Sequence, residues 1–447
     1  MTEKHERAHR GQEYVSTIQA RIAEVAQRHP KEALTTLHHH LTEDLLRESC
    51  RRLRRNAAAG VDDKDVATYE RELEKRLPEL LTEINTGRYR ALPARRGYIP
   101  KPGTDEKRLL GIPAVEDKTV QKAVTAILGP IYEQDFLPCS YGFRQGIGAL
   151  DAVRDLHAAI RREGTKWIVE VDIRKFFDRL SHRHLRAILR QRVRDGVILR
   201  LIDKWLKAGV MEAGAWQATE EGTPQGGIIS PLLANLYLHE VLDKWFVEQI
   251  RPRLKGRCFL IRYADDFVMG FETEEEARRV MEVLPKRFAR FDLELNMRKT
   301  RVVDFRKPDG TDREIGTFDF LGFTHYWGND RHGNPITKLK TAKDRLARSC
   351  HAVWEWCRTN LHMGIEQQWQ RLNWTLRGHY GYYGVTHNLR SLRHYYWRVL
   401  QTWRLWLSRT GTNHPVNWVR FQAILLRYPL FQPRICHNLY RPCERFL

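Results

Sequence analysis

Long apolar runs are missing from this chain. No stretch approaches the roughly 18 uncharged apolar residues that a membrane span needs. The start, Met-Thr-Glu-Lys-His-Glu-Arg, has no apolar core of a signal peptide. Neither a membrane anchor nor secretion is expected. Cysteine is sparse as well: seven residues, at 50, 139, 258, 350, 357, 436 and 443, with no Cys-x-x-Cys pair. An odd count at loose spacing argues against a disulfide framework and against a zinc cluster. A reducing compartment follows, and the expectation is a bacterial cytoplasmic protein associated with the nucleoid. Repeats of 20–50 residues and low-complexity tracts are absent, and no Ser, His and Asp stand in a context that suggests a nucleophilic triad.

Acidic residues are in deficit. Fifty-five Asp and Glu face 76 Lys and Arg, a formal charge of +21 with a pI near 9.8. Such an excess suits a polyanion, and nucleic acid is the commonest large one. With 447 residues, 42% of them apolar, the chain can build two or three cores.

The N-terminal 60 residues read as helices rich in Arg and His, over Ser16–Ala26 and Leu37–Leu53. Gly60-Val61-Asp62 punctuates, and Leu73, Leu77, Leu80 and Ile84 mark one face of a helix over Val66–Thr86, with Pro78 expected to kink it. From Tyr98 the texture turns to strands. Gly97–Gly103 runs into a Pro-Gly turn with Lys107–Ile112 as its return. Helices are expected over Asp117–Leu128, Leu185–Ala208, Ser230–Phe246 (capped by Ser230-Pro231) and Glu274–Phe291. Strands are expected over Trp167–Ile173, Arg301–Phe305 and Phe318–Thr324. After Asn334-Pro335 the chain becomes a basic helical region: residues 335–447 hold 18 Lys and Arg against four Asp and Glu, and eight of the 13 Trp. Leu389, Leu392, Tyr396, Leu400, Trp403 and Leu407 recur at helical spacing there.

The segment that carries chemistry is Cys258–Phe271, Cys-Phe-Leu-Ile-Arg-Tyr-Ala-Asp-Asp-Phe-Val-Met-Gly-Phe. It reads as two buried strands joined by an acidic tip. Ionised carboxylates beside apolar strands cost several kcal/mol or so unless a cation compensates. Asp265 and Asp266 are therefore candidate metal ligands, although Asp is also an ordinary turn former. Asp172, at the end of another apolar strand, is the third candidate. Two Mg²⁺ ions held by these three carboxylates would acidify a primer 3′-hydroxyl and neutralise leaving pyrophosphate, and such a transfer needs no covalent nucleophile. Asp178 reads equally as a cap for a helix begun near Ser181.

These residues carry a resemblance. Tyr263-Ala264-Asp265-Asp266 resembles the YxDD box of reverse transcriptases, and Val171-Asp172-Ile173-Arg174-Lys175-Phe176-Phe177-Asp178 their first aspartate motif. Gly222-Thr223-Pro224-Gln225-Gly226-Gly227-Ile228-Ile229-Ser230-Pro231-Leu232-Leu233-Ala234-Asn235 is similar to the motif between them in group II intron-encoded proteins. The boxes occur in family order over about 97–325. Leu372-Asn373-Trp374-Thr375-Leu376-Arg377-Gly378-His379-Tyr380-Gly381-Tyr382-Tyr383-Gly384-Val385 is similar to the maturase motif of the same group, and the helices before Tyr98 resemble the N-terminal extension of non-retroviral members.

The resemblance implies an α+β right-hand polymerase: an N-terminal helical extension over 1–60, fingers and a palm with a small antiparallel sheet over 61–330, and a helical thumb with RNA-binding maturase character over 331–447. It implies that Lys101 and Arg108 clamp the triphosphate, that Phe177 gates the sugar against a 2′-hydroxyl, and that Gln225 contacts the nucleotide. Lys299 stands near the triphosphate, or is simply an exposed loop lysine. Phe320, Leu321 and Gly322 form the primer grip, and Arg377, Tyr382, Tyr383, Arg390 and Arg393 face RNA. The implied partners are intron RNA or an RNA template, a DNA or RNA primer and dNTPs, with no membrane; a homodimer is compatible. The expected activity is RNA-directed DNA synthesis, with help to intron splicing and mobility. A domesticated enzyme of phage defence or CRISPR spacer acquisition, or a maturase with little polymerase activity, would share much of this pattern. Cys436, His437 and Cys443 are too few for the H-N-H endonuclease that many members carry, so target nicking is not expected.

Overall fold

The computed structural model describes residues 2–100, 107–212, 215–217, 221–222, 226–309, 315–409 and 416–440. Lys101, in the expected Pro-Gly turn, and Gln225 lie outside them.

The chain opens with three helices, α1 (Thr2–Arg28), α2 (Glu43–Arg51) and α3 (Val66–Thr86). The stretch expected as one helix over Leu37–Leu53 instead makes a single tight turn at His38–His40 and then α2, because the Thr42 hydroxyl accepts from Leu45 N and starts a new helix there. Pro78 sits inside an α3 that runs through it and ends at Gly87, left-handed at φ +76°. β1 (Ala94–Pro100) and β2 (Lys107–Ile112) form the expected hairpin, and α4 (Val115–Asp135) outruns its expected span. α5 (Ala149–Arg162) was not expected from the sequence. Its core face, Ala152, Val153, Leu156 and Ile160, is short and spaced among charges.

β3 (Trp167–Val171) follows. The single helix expected over Leu185–Ala208 is in fact α6 (His182–Arg192) and α7 (Gly196–Lys207). Asp195 breaks it: one carboxylate oxygen accepts from Val197 N and Ile198 N at 2.9 and 3.0 Å, capping α7, while the other accepts from Leu37 N and His38 N. β4 (Val210–Glu212) and β5 (Ala215–Gln217) are short. α8 (Ser230–Leu238) has Ile229 as its cap, so Ser230 and Pro231 form its first turn. It continues in wider π-type turns to Ile250. Then come β6 (Cys258–Tyr263), β7 (Asp266–Phe271), α9 (Glu274–Ala289), β8 (Arg301–Asp304), β9 (Phe318–Phe320), β10 (Phe323–Asn329) and β11 (Pro335–Thr341). The last elements among the described residues are the helices α10 (Lys343–Thr359), α11 (Ile365–Tyr383), α12 (Leu389–Leu407) and α13 (Trp418–Arg427).

Among the described residues the strands form three small sheets. β6-β7-β3-β8 is antiparallel throughout, β2-β1-β4-β5 contains one parallel pair, and β11-β10-β9 is an antiparallel meander. The first of these positions the site. Val169, Val171, Phe267, Met269 and Phe271 point into one core with Val280, Leu284 and Phe288 of α9. Ile168, Val268, Ile261 and Val303 point into a second core under α5. Burial on both faces explains why Cys258–Phe271 reads as a nearly unbroken apolar run rather than an alternating one. A third core lies among α10–α13, around Trp403, Tyr380 and Tyr395. Among the described residues, no helix is long and apolar enough to cross a membrane.

Candidate active site

β3 and β7 run antiparallel, with Val171 opposite Phe267. One step further along that register, Asp172 faces Asp266. β6 and β7 are joined by a two-residue turn, Ala264-Asp265, closed by the Tyr263–Asp266 pair. Residues separated by about 90 positions thus meet at one end of the central sheet. Ala264 has φ +56°, a left-handed conformation that costs a non-glycine residue about 1 kcal/mol.

The turn is held from behind by Arg262, which is wholly buried. Its guanidinium donates to both oxygens of Asp243 at 2.7 and 2.6 Å, to Asn235 Oδ1 at 3.0 Å, to Ser140 Oγ at 2.6 Å and to the Ala264 carbonyl at 3.0 Å. Burial alone would push the Asp243 carboxyl up; the Arg262 charge and hydrogen bonds outweigh it and hold the group below its usual range. A second brace lies alongside: Tyr141 N donates to the Arg262 carbonyl and Arg262 N to the Cys139 carbonyl, both at 2.8 Å. At Gly142 an added Cβ would lie 2.2 Å from Ala264 N, so only glycine allows this close approach. These partners were not legible in the sequence, because they come from two segments distant in the chain, 139–142 and the helix that carries Asn235 and Asp243.

Asp172 is supported from the β8 side. Asn296 Nδ2 donates to Asp172 Oδ2 at 2.9 Å, Asn296 N to the Asp172 carbonyl at 2.8 Å, and Lys299 Nζ stands 3.8 Å from the same carboxylate. Asp266 opens to solvent on one side and is crowded by protein on the other. Burial first, then the charges of Asp265 and Asp172, push its carboxyl up to about 6, against the opposing pull of Arg345 and Lys299. Among the described residues no three His, Cys, Asp or Glu side chains are already drawn together as a finished ion cage. The donor set nevertheless fits a hard divalent cation: carboxylate oxygens that repel one another, with one of them holding its proton unusually late.

The expected nucleotide contacts divide. Arg108 lies on β2, opposite Ile99. Phe177 is half-buried in a tight turn over Phe176–Asp178 that follows Lys175 (φ +48°), and its ring meets Phe176 edge-on at 5.3 Å. Gly222 and Gly226 both make close contacts with neighbouring backbone. A Cβ on Gly222 would touch the Phe177 and Asp178 carbonyls at 2.8 Å, and one on Gly226 would meet the Gly111 carbonyl of β2 at 2.6 Å.

Phe320 and Phe323 pair across a tight β9–β10 turn in which Leu321 (φ +49°) and Gly322 (φ +81°) are both left-handed, the backbone of a type I′ hairpin. Tyr382 and Tyr383, expected to face RNA, pack on this turn. Tyr382 Oη donates to the Leu321 carbonyl at 2.8 Å, and both rings lie against Phe323. Arg377, Arg390 and Arg393 are exposed on α11 and α12, and Arg377 lies over the Phe431 ring at 5.1 Å.

The fold is that of an α+β polymerase, and the central sheet is its palm. A family model described as reverse transcriptase (RNA-dependent DNA polymerase) matches residues 99–325. Protein YkfC of Escherichia coli is 36% identical over 281 residues, covering 54% of this chain and 71% of that protein. Group II intron-encoded protein LtrA of Lactococcus lactis is 34% identical over 284 residues, covering 60% of this chain and 47% of LtrA. Nuclear intron maturase 4 of Arabidopsis thaliana is 26% identical over 152 residues, 34% of this chain and 19% of that protein. The chain belongs to the reverse transcriptase family, and group II intron-encoded proteins and an intron maturase are among the proteins it is similar to. It is an RNA-directed DNA polymerase, which takes an RNA template and a primer; enzymes of this family generally use divalent metal ions. The chain spans about half the length of LtrA.

Proposed function

We propose that Asp172, Asp265 and Asp266 hold two Mg²⁺ ions and that the protein extends a DNA or RNA primer with dNTPs on an RNA template. The observation that carries this reading is the convergence of the three aspartates at one end of the palm sheet, with the Asp266 carboxyl pushed up by burial and by the charges of its two neighbours. When bound, the ions supply charge neutralisation and a more acidic primer hydroxyl. The chain's own groups do the positioning. Asn296 fixes the Asp172 carboxylate, and Arg262 fixes the turn under Asp265. Lys299, beside Asp172, delivers a proton to departing pyrophosphate. Lys101 and Arg108 bind the triphosphate, as basic side chains on a finger hairpin can. Phe177 excludes a 2′-hydroxyl, with Gln225 on the nucleotide. Phe320, Leu321 and Gly322 seat the primer end, braced by Tyr382 and Tyr383.

In this reading residues 1–60 are the N-terminal extension, 61–330 fingers and palm, and 331–447 the thumb, whose Arg377, Arg390 and Arg393 contact RNA. The protein binds its own intron RNA, assists its splicing and later copies the inserted intron. Support comes from likeness to a group II intron-encoded protein and to an intron maturase, and from the exposed arginines on α11 and α12. The test is a splicing assay. Precursor RNA transcribed from the DNA around the gene is incubated at low Mg²⁺ with wild-type protein or Asp265→Ala. Both proteins are expected to accelerate excision. If neither does, with an intron present, the splicing role is excluded.

A further inference from the structure

A concavity of about 880 Å³ lies between the C-terminal end of α3 and the outer face of α7, and no residue of the palm sheet lines it. Arg88, Arg90, Arg200, Lys204 and Lys207 line it, against a single carboxylate, Asp203. That carboxylate already accepts from Arg186 of α6 at 2.5 Å. Lys204 is also committed, because its ammonium donates to the carbonyls of Gly87 and Tyr89 and ties the end of α3 to α7. Arg90, Arg200 and Lys207 are exposed and have no carboxylate partner among the described residues. Gly87 lies beside the Arg200 guanidinium, 3.7 Å from Arg200 Nε to the position a Cβ would take, an ordinary contact distance. Burial together with the charges of Arg200 and Arg90 lowers the Lys204 pKa, so the cations press on one another across the pocket.

Like charges gathered in a concave site, without acidic partners, are stabilised by an anion with several oxygens. Guanidinium forks match phosphate in particular. We propose that this pocket is a second phosphate site, which grips the phosphodiester backbone of an RNA strand away from the polymerase cleft. The proposal rests on the reading of the protein as one that handles RNA beyond its template. It differs from the thumb contacts in using α3 and α7.

The test compares wild type with the triple variant Arg90→Ala/Arg200→Ala/Lys207→Ala and with Lys207→Gln alone. Binding of a fluorescein-labelled 30-nucleotide single-stranded RNA is measured over a range of salt. Each lost phosphate contact lowers the log–log salt slope by about 0.7, so the triple variant should lose about 2 and the single variant about 0.7. DNA synthesis at saturating poly(rA)/oligo(dT) should be unchanged, as should thermal melting. An unchanged slope overturns the site. So does a parallel loss of affinity for template–primer, which would place these residues on the polymerase path. Sodium tripolyphosphate that binds wild type alone, with no change in RNA slope, would overturn the RNA assignment in favour of a small polyphosphate. If wild type makes no DNA while the slope effect persists, the polymerase reading fails and the site stands.

Discussion

The Arg262 guanidinium donates to both oxygens of Asp243, at 2.7 and 2.6 Å, and neither side chain is exposed at all. The same guanidinium also donates to Asn235 Oδ1, to Ser140 Oγ and, at the turn itself, to the Ala264 carbonyl. A buried pair adds little net stability, yet losing one partner strands a charge, which costs about 3–5 kcal/mol. Asp243→Asn keeps the volume and removes the charge. It should lower unfolding free energy by a few kcal/mol or so, and at a temperature where it remains folded it should lose most primer extension. Chemical denaturation and single-nucleotide incorporation check the two effects separately.

Gly142 presses on Ala264 N, so Gly142→Ala must displace the turn or the 139–142 segment. Primer extension should fall at least tenfold, with far-ultraviolet circular dichroism unchanged. Activity equal to wild type would mean that the turn's position is not what these contacts set.

Asn296→Ala frees the Asp172 carboxylate to rotate. Loss of an outer hydrogen bond to a ligand costs roughly 10–100-fold in metal affinity or activity. The expected signature is a higher Mg²⁺ concentration for half-maximal synthesis, with most of the rate recovered at high Mg²⁺. A fall in rate that excess Mg²⁺ does not repair would assign Asn296 to folding instead.

Asp266 sets a pH dependence. Its carboxyl is raised to about 6 in the folded chain from an ordinary value near 3.8. The folded state therefore binds the proton more tightly than the unfolded one. Stability from this group is full below about pH 4 and is lost as pH rises through 6. Without divalent ions, melting temperature should drop across that window; added Mg²⁺ should restore it at pH 8 and do little at pH 4. Asp266→Asn should flatten both responses.

Much of the palm was legible because its cues are local. The run Cys258–Phe271 marks two strands and an acidic tip, and the hairpin of β1 and β2 carries its own turn residues. What sequence could not give is what long-range contact decides. Asp195 breaks a helical pattern because its carboxylate also reaches Leu37 and His38. Tyr382 and Tyr383 look like RNA-facing aromatics among glycines, yet Leu321 and Phe323 claim them. Arg262 sits in plain view inside the motif, but its partners, Asp243, Asn235 and Ser140, come from other segments. Asn296 stands three residues before Lys299 with nothing local to mark it, and only the fold puts its amide on Asp172.

Phe177→Ala should relax sugar selection. With its ring half-buried against Phe176 at the edge of the main core, its removal opens space without emptying that core. Incorporation of UTP relative to dTTP on poly(rA)/oligo(dT) should rise tenfold or more, an approximate lower bound for a relieved steric clash. An unchanged ratio would make Phe177 a packing residue.

The most direct test of the central claim is dTTP incorporation on poly(rA)/oligo(dT) with Mg²⁺, by wild type and by Asp172→Asn, Asp265→Asn and Asp266→Asn. The three aspartates act as one site, so each variant should lose synthesis by at least about a thousandfold, roughly 4 kcal/mol of transition-state stabilisation, while template–primer binding persists. Continued synthesis by the Asp265 variant within tenfold of wild type would contradict the account.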